Sequence, residues 1–143
     1  MIRELTIEDK EKFNELGLLI NSNFNKLFDL DTIINSDYDY LYGYFDDELL
    51  GFIHLNKLYE NMDIVNIVVD PLYRRQGIAT ELIDYSMDLF DDLESVMLEV
   101  NENNKGAVNL YINNDFHIIS KREKYYGNDD ALIMKRDVKD ERC

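Results

Sequence analysis

The residues best suited to chemistry lie in one short stretch, residues 68–80, with the sequence VVDPLYRRQGIAT. Arg74 and Arg75 precede a Gly-x-Ala step at Gly77 and Ala79, and the apolar pattern that follows is that of a helix. The first backbone N–H groups of a helix lack intrahelical acceptors and carry partial positive charge, so they bind phosphate groups. Because glycine and alanine leave those amides accessible, the pattern predicts an anion-binding turn. The alternative is an ordinary strand-to-helix turn with two solvated arginines.

Two common phosphate-binding patterns do not explain this turn. Neither Gly-x-x-x-x-Gly-Lys-Ser/Thr nor Gly-x-Gly-x-x-Gly occurs in the chain. The spacing Arg74-x-x-Gly77-x-Ala79 instead resembles the coenzyme A pyrophosphate motif, Gln/Arg-x-x-Gly-x-Gly/Ala, of the GCN5-related N-acetyltransferase (GNAT) family. The resemblance implies the acyl-CoA N-acyltransferase fold, an α/β (α+β) fold with a mixed central sheet of about seven strands and flanking helices.

The same resemblance implies acetyl-CoA as the cosubstrate. Its pyrophosphate would bind the turn, and the strand from Ile67 to Val69 would offer backbone N–H and C=O groups to the pantetheine amides, with one N–H as oxyanion donor. The implied cofactor-binding residues are Ile67, Val68, Val69, Arg74, Arg75, Gln76, Gly77, Ile78, Ala79, Thr80, Asn104 and Tyr111.

A second segment, residues 98–134, narrows the resemblance to one branch of the family. It is similar to the bacterial ribosomal-protein-alanine N-acetyltransferases, which acetylate the N-terminal alanine of a small-subunit ribosomal protein. The matching residues are Glu99, Val100, Asn104, Ala107, Leu110, Tyr111, Phe116, Tyr125, Tyr126, Asp130 and Ala131. With the turn included, the resemblance covers the C-terminal two-thirds of the chain, whereas the first sixty residues match only in outline.

Acetyl transfer to an amine requires a neutral amine, a stabilised oxyanion and a proton for the departing thiolate. An α-amino group has a pKa of about 8, against about 10.4 for lysine, so an N-terminal amine needs only modest help from a base. The resemblance assigns that role to Glu99, which would act directly or through a water. The alternative for Glu99 is a strand glutamate that faces solvent.

Tyr111 corresponds to the tyrosine that the family uses as general acid toward the coenzyme A sulfur. A phenol with a pKa of about 10 can protonate a thiolate without being ionised at rest. Packing against the core is the alternative, since the chain holds ten tyrosines. Asn104 would bind the pantetheine or adenosine end of the cofactor, or else cap the following helix. Tyr125 and Tyr126 would line the substrate-binding groove for a peptide, or else pack in the core or at a sheet edge.

The sequence departs from the family pattern at two places, after the predicted helix that carries Tyr111 and at the end of the strand before that helix. The family usually has Gly-Phe after that helix, but this chain has Asp115-Phe116. Aspartate tolerates left-handed backbone better than most residues, so the turn is expected to survive. Asn101 stands where relatives often carry arginine, and the lost positive charge leaves the peptide specificity open.

The hydrophobic pattern predicts the elements that position these residues. A capping box of Thr6 and Asp9 opens the first helix. In chain order the predicted elements are a strand at 1–5, helices through Ile20 and at about 25–34, strands at 40–45, 49–59 and 62–69, a helix at 75–90, a strand at 96–100, a helix at 105–113, strands at about 116–125 and 131–135, and a frayed tail at 136–143.

The composition of the chain argues against several classes of function. The net charge of −15, from 30 acidic and 15 basic side chains, argues against nucleic-acid binding, which needs clustered Lys and Arg. That acidity either steers a basic peptide or amine toward the site or only aids solubility. A single cysteine, Cys143, and two scattered histidines predict a reducing cytosol and no metal. We see no export signal and no membrane-spanning run.

The sequence therefore predicts a single N-acetyltransferase domain over residues 1–143, located in the cytoplasm as a monomer or homodimer. Its predicted partner is a peptide or protein N-terminus, possibly of a ribosomal protein, rather than nucleic acid or a membrane. Acetylation of a small amine or another peptide is an alternative, and a coenzyme A-binding regulatory module without turnover is another. The presence of both Glu99 and Tyr111 argues against the module.

Overall fold

A computed structural model describes residues 1–138 and, within them, one seven-stranded sheet in the order β1-β2-β3-β4-β5-β7-β6. The strands are β1 (Ile2–Glu4), β2 (Asp39–Asp46), β3 (Glu48–Leu58), β4 (Asn61–Val69), β5 (Ser95–Asn101), β6 (His117–Tyr126) and β7 (Asp129–Asp137). The helices are α1 (Lys10–Gly17), α2 (Phe24–Leu27), α3 (Leu30–Ile34), α4 (Ile78–Met87) and α5 (Lys105–Asn113), with 3-10 turns at Ile7–Asp9 and Pro71–Tyr73. This mixed sheet with flanking helices confirms the predicted fold class.

The sheet changes character between β4 and β5, the one parallel pair among the strands just given. These two strands pair only over Asn61 to Asp63, opposite Ser95 to Met97. Beyond that point β4 continues beside β3 alone, while β5 continues beside β7. A β-bulge between His54 and Leu55 accompanies the divergence. The two strands therefore open a cleft in the middle of the sheet.

Apolar side chains fill both faces of the sheet. On one face α4 and α5 cover a cluster that includes Ile53, Val69 and Leu82. On the other face α1, α2 and α3 cover a second cluster that includes Phe52 and Val68. Successive strand residues point to opposite faces, which is why neighbours such as Val68 and Val69 belong to different clusters.

The N-terminal helices are shorter and more broken than the sequence predicts. The capping box of Thr6 and Asp9 is confirmed, but the helix it introduces ends at Gly17 rather than Ile20. The predicted helix at 25–34 is wrong as a single element, because Phe28 is extended and separates α2 from α3. Asp29 then caps α3 by accepting a hydrogen bond from the Thr32 N–H at 3.2 Å.

Two further boundaries need correction. The helix predicted from Arg75 to Phe90 begins at Ile78 and ends at Met87. The predicted frayed tail is wrong in its first residues, since β7 runs through Asp137, and the remainder with Cys143 lies outside the described residues. In the described range of 1–138, no helix combines the length and apolar character needed to cross a membrane.

Candidate functional site

A cavity of about 820 Å³ adjoins the open part of β4. This volume lies within the usual range of ligand pockets, about 300–1,000 Å³. Its walls come from the end of β4, the following turn, the first residues of α4, one side of α5 and the segment after α1. The lining residues are Leu19, Ile20, Ile67, Val68, Val69, Tyr73, Arg74, Arg75, Gly77, Ile78, Ala79, Thr80, Asn104, Gly106, Ala107, Asn109, Leu110, Tyr111 and Asn113.

The turn between β4 and α4 has an unusual backbone. Asp70 accepts a hydrogen bond from the Leu72 N–H at 3.0 Å, which fixes the short 3-10 turn after the strand. Arg75 and Gly77 then both adopt left-handed conformations, with φ of 66° and 80°. Left-handed backbone at a residue other than glycine costs free energy and is concentrated at binding and catalytic sites. These reversals delay the start of α4 to Ile78 and expose its first N–H groups to the cavity.

Arg74 has a structural contact in addition to its charge. Its Nε donates a hydrogen bond to the Val69 carbonyl oxygen at 3.3 Å, across the turn. The contact ties the turn back to the end of β4. Because Arg74 and Arg75 are both exposed and both line the cavity, their charges remain available to an anionic ligand.

The open edge of β4 presents backbone groups to the cavity. The Val69 carbonyl points to Arg74, whereas the Asp70 N–H donates to Leu50 on the β3 side at 2.8 Å. Successive strand residues direct their backbone groups to opposite edges, so Ile67 shares the open edge with Val69. Since β5 pairs with β4 only as far as Asp63, an extended ligand can bond to Ile67 by strand addition.

Tyr111 combines a packed ring with access to the cavity. The residue is 7% exposed, and its ring meets Phe116 edge-on at a centroid distance of 5.9 Å. It lines the cavity together with the residues of the turn. Burial, and then the nearby Tyr126, raise the pKa of Tyr111 to about 12. The phenol is therefore protonated at neutral pH and can act as a proton donor.

Asn104 and Thr80 line the cavity but also hold the helices. The Asn104 side chain caps α5 by accepting a hydrogen bond from the Ala107 N–H at 3.2 Å. Asn114, which is 7% exposed, donates to the Thr80 hydroxyl at 3.3 Å and so joins α5 to α4. Asn114 is not among the site residues predicted from the sequence. A role for Asn104 and Thr80 in cofactor binding remains a prediction.

Glu99 lies outside the lining of the cavity. Its neighbours Leu98 and Val100 are buried in the core under α4 and α5, so Glu99 points to the opposite face of the sheet. Its carboxylate forms an ion pair with Arg122 at 3.3 Å, and its side chain is 33% exposed. Glu99 therefore does not contact the space inside the cavity. The catalytic role of Glu99 remains a prediction.

The two tyrosines predicted to bind the substrate lie at the end of β6. Tyr125 and Tyr126 are exposed, and their rings meet edge-on at a centroid distance of 5.1 Å. Burial and the Glu99 charge raise the pKa of Tyr126, and Tyr126 in turn raises that of Tyr111. Tyr126 is thus electrostatically coupled to both predicted catalytic residues. The core-packing alternative does not apply to these exposed side chains.

Several lining residues were not identified from sequence. Leu19 and Ile20 follow α1 and are about half-exposed, and Gly106 and Asn109 belong to α5. The signal for the α5 residues was available, since they share a helix with Asn104 and Tyr111. Gln76, which was predicted to bind the cofactor, is absent from the lining. Within residues 1–138, no group of His, Cys, Asp and Glu side chains has the arrangement of a metal site.

Comparison with known proteins identifies relatives of the chain. The family model described as the acetyltransferase (GNAT) family matches residues 2–116. The ribosomal protein bS18-alanine N-acetyltransferase of Salmonella typhimurium is 32% identical over 98 residues, which cover 62% of this chain and 64% of that relative. The match thus spans less than two thirds of that relative's length. An N-alpha-acetyltransferase of Sulfurisphaera tokodaii is 27% identical over 150 residues, with 93% of this chain and 90% of the relative covered.

Solved structures share the fold. The PaiA N-acetyltransferase of Thermoplasma acidophilum, in complex with coenzyme A, superposes with a TM-score of 0.83 at 22% identity. The superposition covers 96% of this chain and 98% of that chain. At this level of identity the likeness demonstrates a common architecture.

Proposed function

The chain belongs to the acetyltransferase (GNAT) family, and we propose that it transfers the acetyl group of acetyl-CoA to a protein N-terminal amine. The acceptor we favour is the N-terminal alanine of a small-subunit ribosomal protein, in the cytoplasm. The observation that carries the proposal is the cavity, which combines the turn at Arg75 and Gly77, the open edge of β4 and the buried Tyr111.

The chain's own residues fit a pantetheine-linked pyrophosphate. Backbone N–H groups at the start of α4, with Arg75, suit the pyrophosphate, and the backbone groups of Ile67 suit the pantetheine amides. Acetyl-CoA, when bound, supplies an acetyl thioester. Tyr111 donates its proton to the departing thiolate, and its raised pKa keeps that proton in place beforehand.

Glu99 serves as the base of the proposed reaction. It faces the side of the sheet away from α4 and lies outside the cavity lining, and it accepts the amine proton directly or through a water. At pH 7 about 10% of an α-amine is neutral, against about 0.04% of a lysine side chain. A carboxylate base is therefore sufficient for an α-amine. The Salmonella relative is a ribosomal protein alanine N-acetyltransferase and the Sulfurisphaera relative is an N-alpha-acetyltransferase, and both support the same acceptor class.

Mass spectrometry of a panel of acceptors tests the proposal. The panel contains peptides that differ in their first residue, peptides with only a lysine amine, and a polyamine, each incubated with acetyl-CoA. We expect acetylation of α-amines with alanine preferred. Transfer only to a polyamine or to lysine would show that the proposed acceptor is wrong and that the protein is nevertheless an N-acetyltransferase. No transfer, together with calorimetric binding of acetyl-CoA, would instead favour the regulatory module.

A further inference from the structure

Asn114 directly follows α5 and carries a side-chain amide that is almost fully enclosed. The residue is 7% exposed, and its Nδ2 donates to the Leu110 carbonyl oxygen at 2.8 Å and to the Thr80 hydroxyl oxygen at 3.3 Å. Arg136 donates to the Asn114 carbonyl oxygen at 3.2 Å. Asn114 is not part of the cavity lining, but it joins two residues that are, Thr80 on α4 and Leu110 on α5.

The Leu110 carbonyl determines which way round the Asn114 amide lies. A carbonyl oxygen accepts hydrogen bonds and cannot donate them, so the amide atom that faces it must be the nitrogen. The two protons of that nitrogen then serve two oxygens, one on Leu110 and one on Thr80. Because an amide nitrogen does not accept hydrogen bonds, the Thr80 hydroxyl is the acceptor in this contact. The proton of the hydroxyl must therefore point away from Asn114.

The position of Thr80 in its helix leaves this proton without the usual acceptor. Inside a helix, a threonine hydroxyl commonly donates to a carbonyl three or four residues earlier. Thr80 is the third residue of α4, so the carbonyl four residues earlier precedes the helix. The carbonyl three residues earlier, on Gly77, already accepts from the Glu81 N–H at 2.9 Å. In the hydrogen bonds of residues 1–138, the Thr80 hydroxyl takes part as the acceptor of Asn114 alone.

A ligand in the cavity can supply that acceptor. Thr80 lines the cavity, and helix side chains lean toward the N-terminus of their helix. The hydroxyl therefore lies at the same end of α4 as the first N–H groups, which lack intrahelical acceptors. Arg75 adds positive charge beside them. Several converging donors favour an oxyanion, and hydrogen bonds to a charged oxygen are about twice as strong as neutral ones. A hydroxyl that already accepts a hydrogen bond is also polarised as a donor.

We propose that Asn114 is a positioning residue for the cofactor, which orients the Thr80 hydroxyl so that it donates a hydrogen bond to a phosphate oxygen of acetyl-CoA. The proposal rests on the proposed function, because it concerns the cofactor of that reaction. Asn114 acts through Thr80 and does not touch the ligand. The same amide holds the end of α5, so one side chain links the helix that carries Tyr111 to the helix that binds phosphate.

Calorimetric titration with coenzyme A tests this chain of contacts without turnover, at a temperature at which circular dichroism shows each variant folded. Thr80→Val keeps the shape of the side chain and should bind about tenfold more weakly, whereas Thr80→Ser keeps the hydroxyl and should stay within about twofold of wild type. Asn114→Leu should weaken binding about three- to fivefold in wild type and not at all in the Thr80→Val background. Wild-type affinity in Thr80→Val, or an equal loss from Asn114→Leu in both backgrounds, overturns the inference.

Kinetics separate a phosphate contact from a general loosening of the two helices. Thr80→Val should raise the KM for acetyl-CoA about tenfold and leave kcat and the KM for the peptide within about twofold. With acetyl-pantetheine, which contains no phosphate, wild type and Thr80→Val should react at the same rate. An equal loss of rate with both thioesters would overturn the inference alone. If the variants change coenzyme A affinity as described but no amine is acetylated, the proposed function fails and the inference stands.

Discussion

The two sides of the cleft are built differently. The proposed cofactor side, residues 67–80 and 104–113, consists of a strand edge, a tight turn, the first residues of α4 and one side of α5, and it supplies most of the residues that line the cavity. The proposed acceptor side, residues 14–38 and 117–126, contains helices of four and five residues and a strand, β6, that is exposed at every position. Two of its residues, Leu19 and Ile20, also line the cavity. Backbone recognition depends on local conformation, whereas side-chain recognition depends on how distant segments pack. The difference explains why the sequence identifies a cofactor more readily than an acceptor.

The largest effect is expected on the cofactor side, at Tyr111. Tyr111→Phe keeps the ring that packs on Phe116 and removes only the proton donor, so kcat should fall by about 100-fold with the KM for acetyl-CoA nearly unchanged. Steady-state rates at pH 7 measure both quantities. Tyr38→Phe, an exposed change, is the control. A Tyr111→Phe enzyme with wild-type kcat would remove Tyr111 from the mechanism.

On the acceptor side, Gly17→Ala should act on stability. A Cβ at Gly17 would overlap the ring of Phe24, which is fully buried. Overpacking of this kind costs about 1–3 kcal/mol of the free energy of unfolding, measured by urea denaturation. Gly106→Ala in α5, whose Cβ would meet only the Asn104 Oδ1 at 4.0 Å, should be neutral or stabilising. Equal losses in both variants would contradict the packing described for α1 and α2.

Gly77→Val tests whether the turn itself binds the cofactor. No atom lies within 4 Å of an added Cβ, so the change acts through the φ of 80°. Left-handed backbone costs a β-branched residue about 1–2 kcal/mol, so the free turn should relax away from φ of 80° and the ligand must restore that conformation. This predicts roughly tenfold weaker acetyl-CoA binding by calorimetry. Gly127→Val, at φ of 68° in the β6–β7 turn, carries the same strain away from the cavity. It should lower Tm and leave affinity intact, and the opposite pattern would refute the turn's role.

The smallest effect concerns pH and His54, which is 3% exposed and meets the ring of Phe28 edge-on. Its Nε2 lies 2.8 Å from Asp39 Oδ1, and its Nδ1 has no partner in the described part of the chain. Burial lowers the pKa of His54, only partly offset by Asp39. The unfolded state therefore binds the proton first, and stability should fall below about pH 6.5, by at most about 1.4 kcal/mol per pH unit.

Urea midpoints between pH 7.5 and 5, compared with those of His54→Gln, isolate this contribution. The urea midpoint of His54→Gln should fall less steeply with decreasing pH than that of wild type. Asp39 contributes in a separate and more acidic window, below about pH 4, because its own pKa is lowered. The affinity for acetyl-CoA should not follow the His54 transition, since residues 67–80 and 104–113 contain no histidine. Parallel slopes in both proteins would show that His54 does not titrate on unfolding.

Local signals account for what the sequence could predict. The bounds of α5 match the prediction, because Asn104 caps its start and the left-handed Asp115, at φ of 69°, follows its end. The predicted start of α4 is three residues too early, because Arg75 adopts a left-handed backbone conformation. Arginine rarely adopts that conformation, so its presence in the sequence does not indicate a helix boundary. The break between α2 and α3 had a signal in Asp29-x-x-Thr32, which resembles a helix cap.

Cross-strand geometry accounts for what the sequence could not predict. Of the twelve residues expected to bind the cofactor, all but Gln76 line the cavity, since most of them are neighbours in the chain. The ion pair between Glu99 and Arg122 and the position of Asp63 depend on strand register. Register is set by the bulge between β3 and β4, where Val65 is left without a partner, and by the point at which β4 and β5 separate. Neither feature leaves a pattern in residues 61–65 alone.

A single peptide that contains both kinds of amine distinguishes α-amine transfer from lysine transfer. An alanine-initiated peptide with an internal lysine is incubated with the enzyme and acetyl-CoA at pH 7, and tandem mass spectrometry locates the acetyl group. We expect acetylation of the α-nitrogen, at a rate that falls about 100-fold in Tyr111→Phe. Acetylation of the lysine, or α-acetylation that is independent of Tyr111, would contradict it.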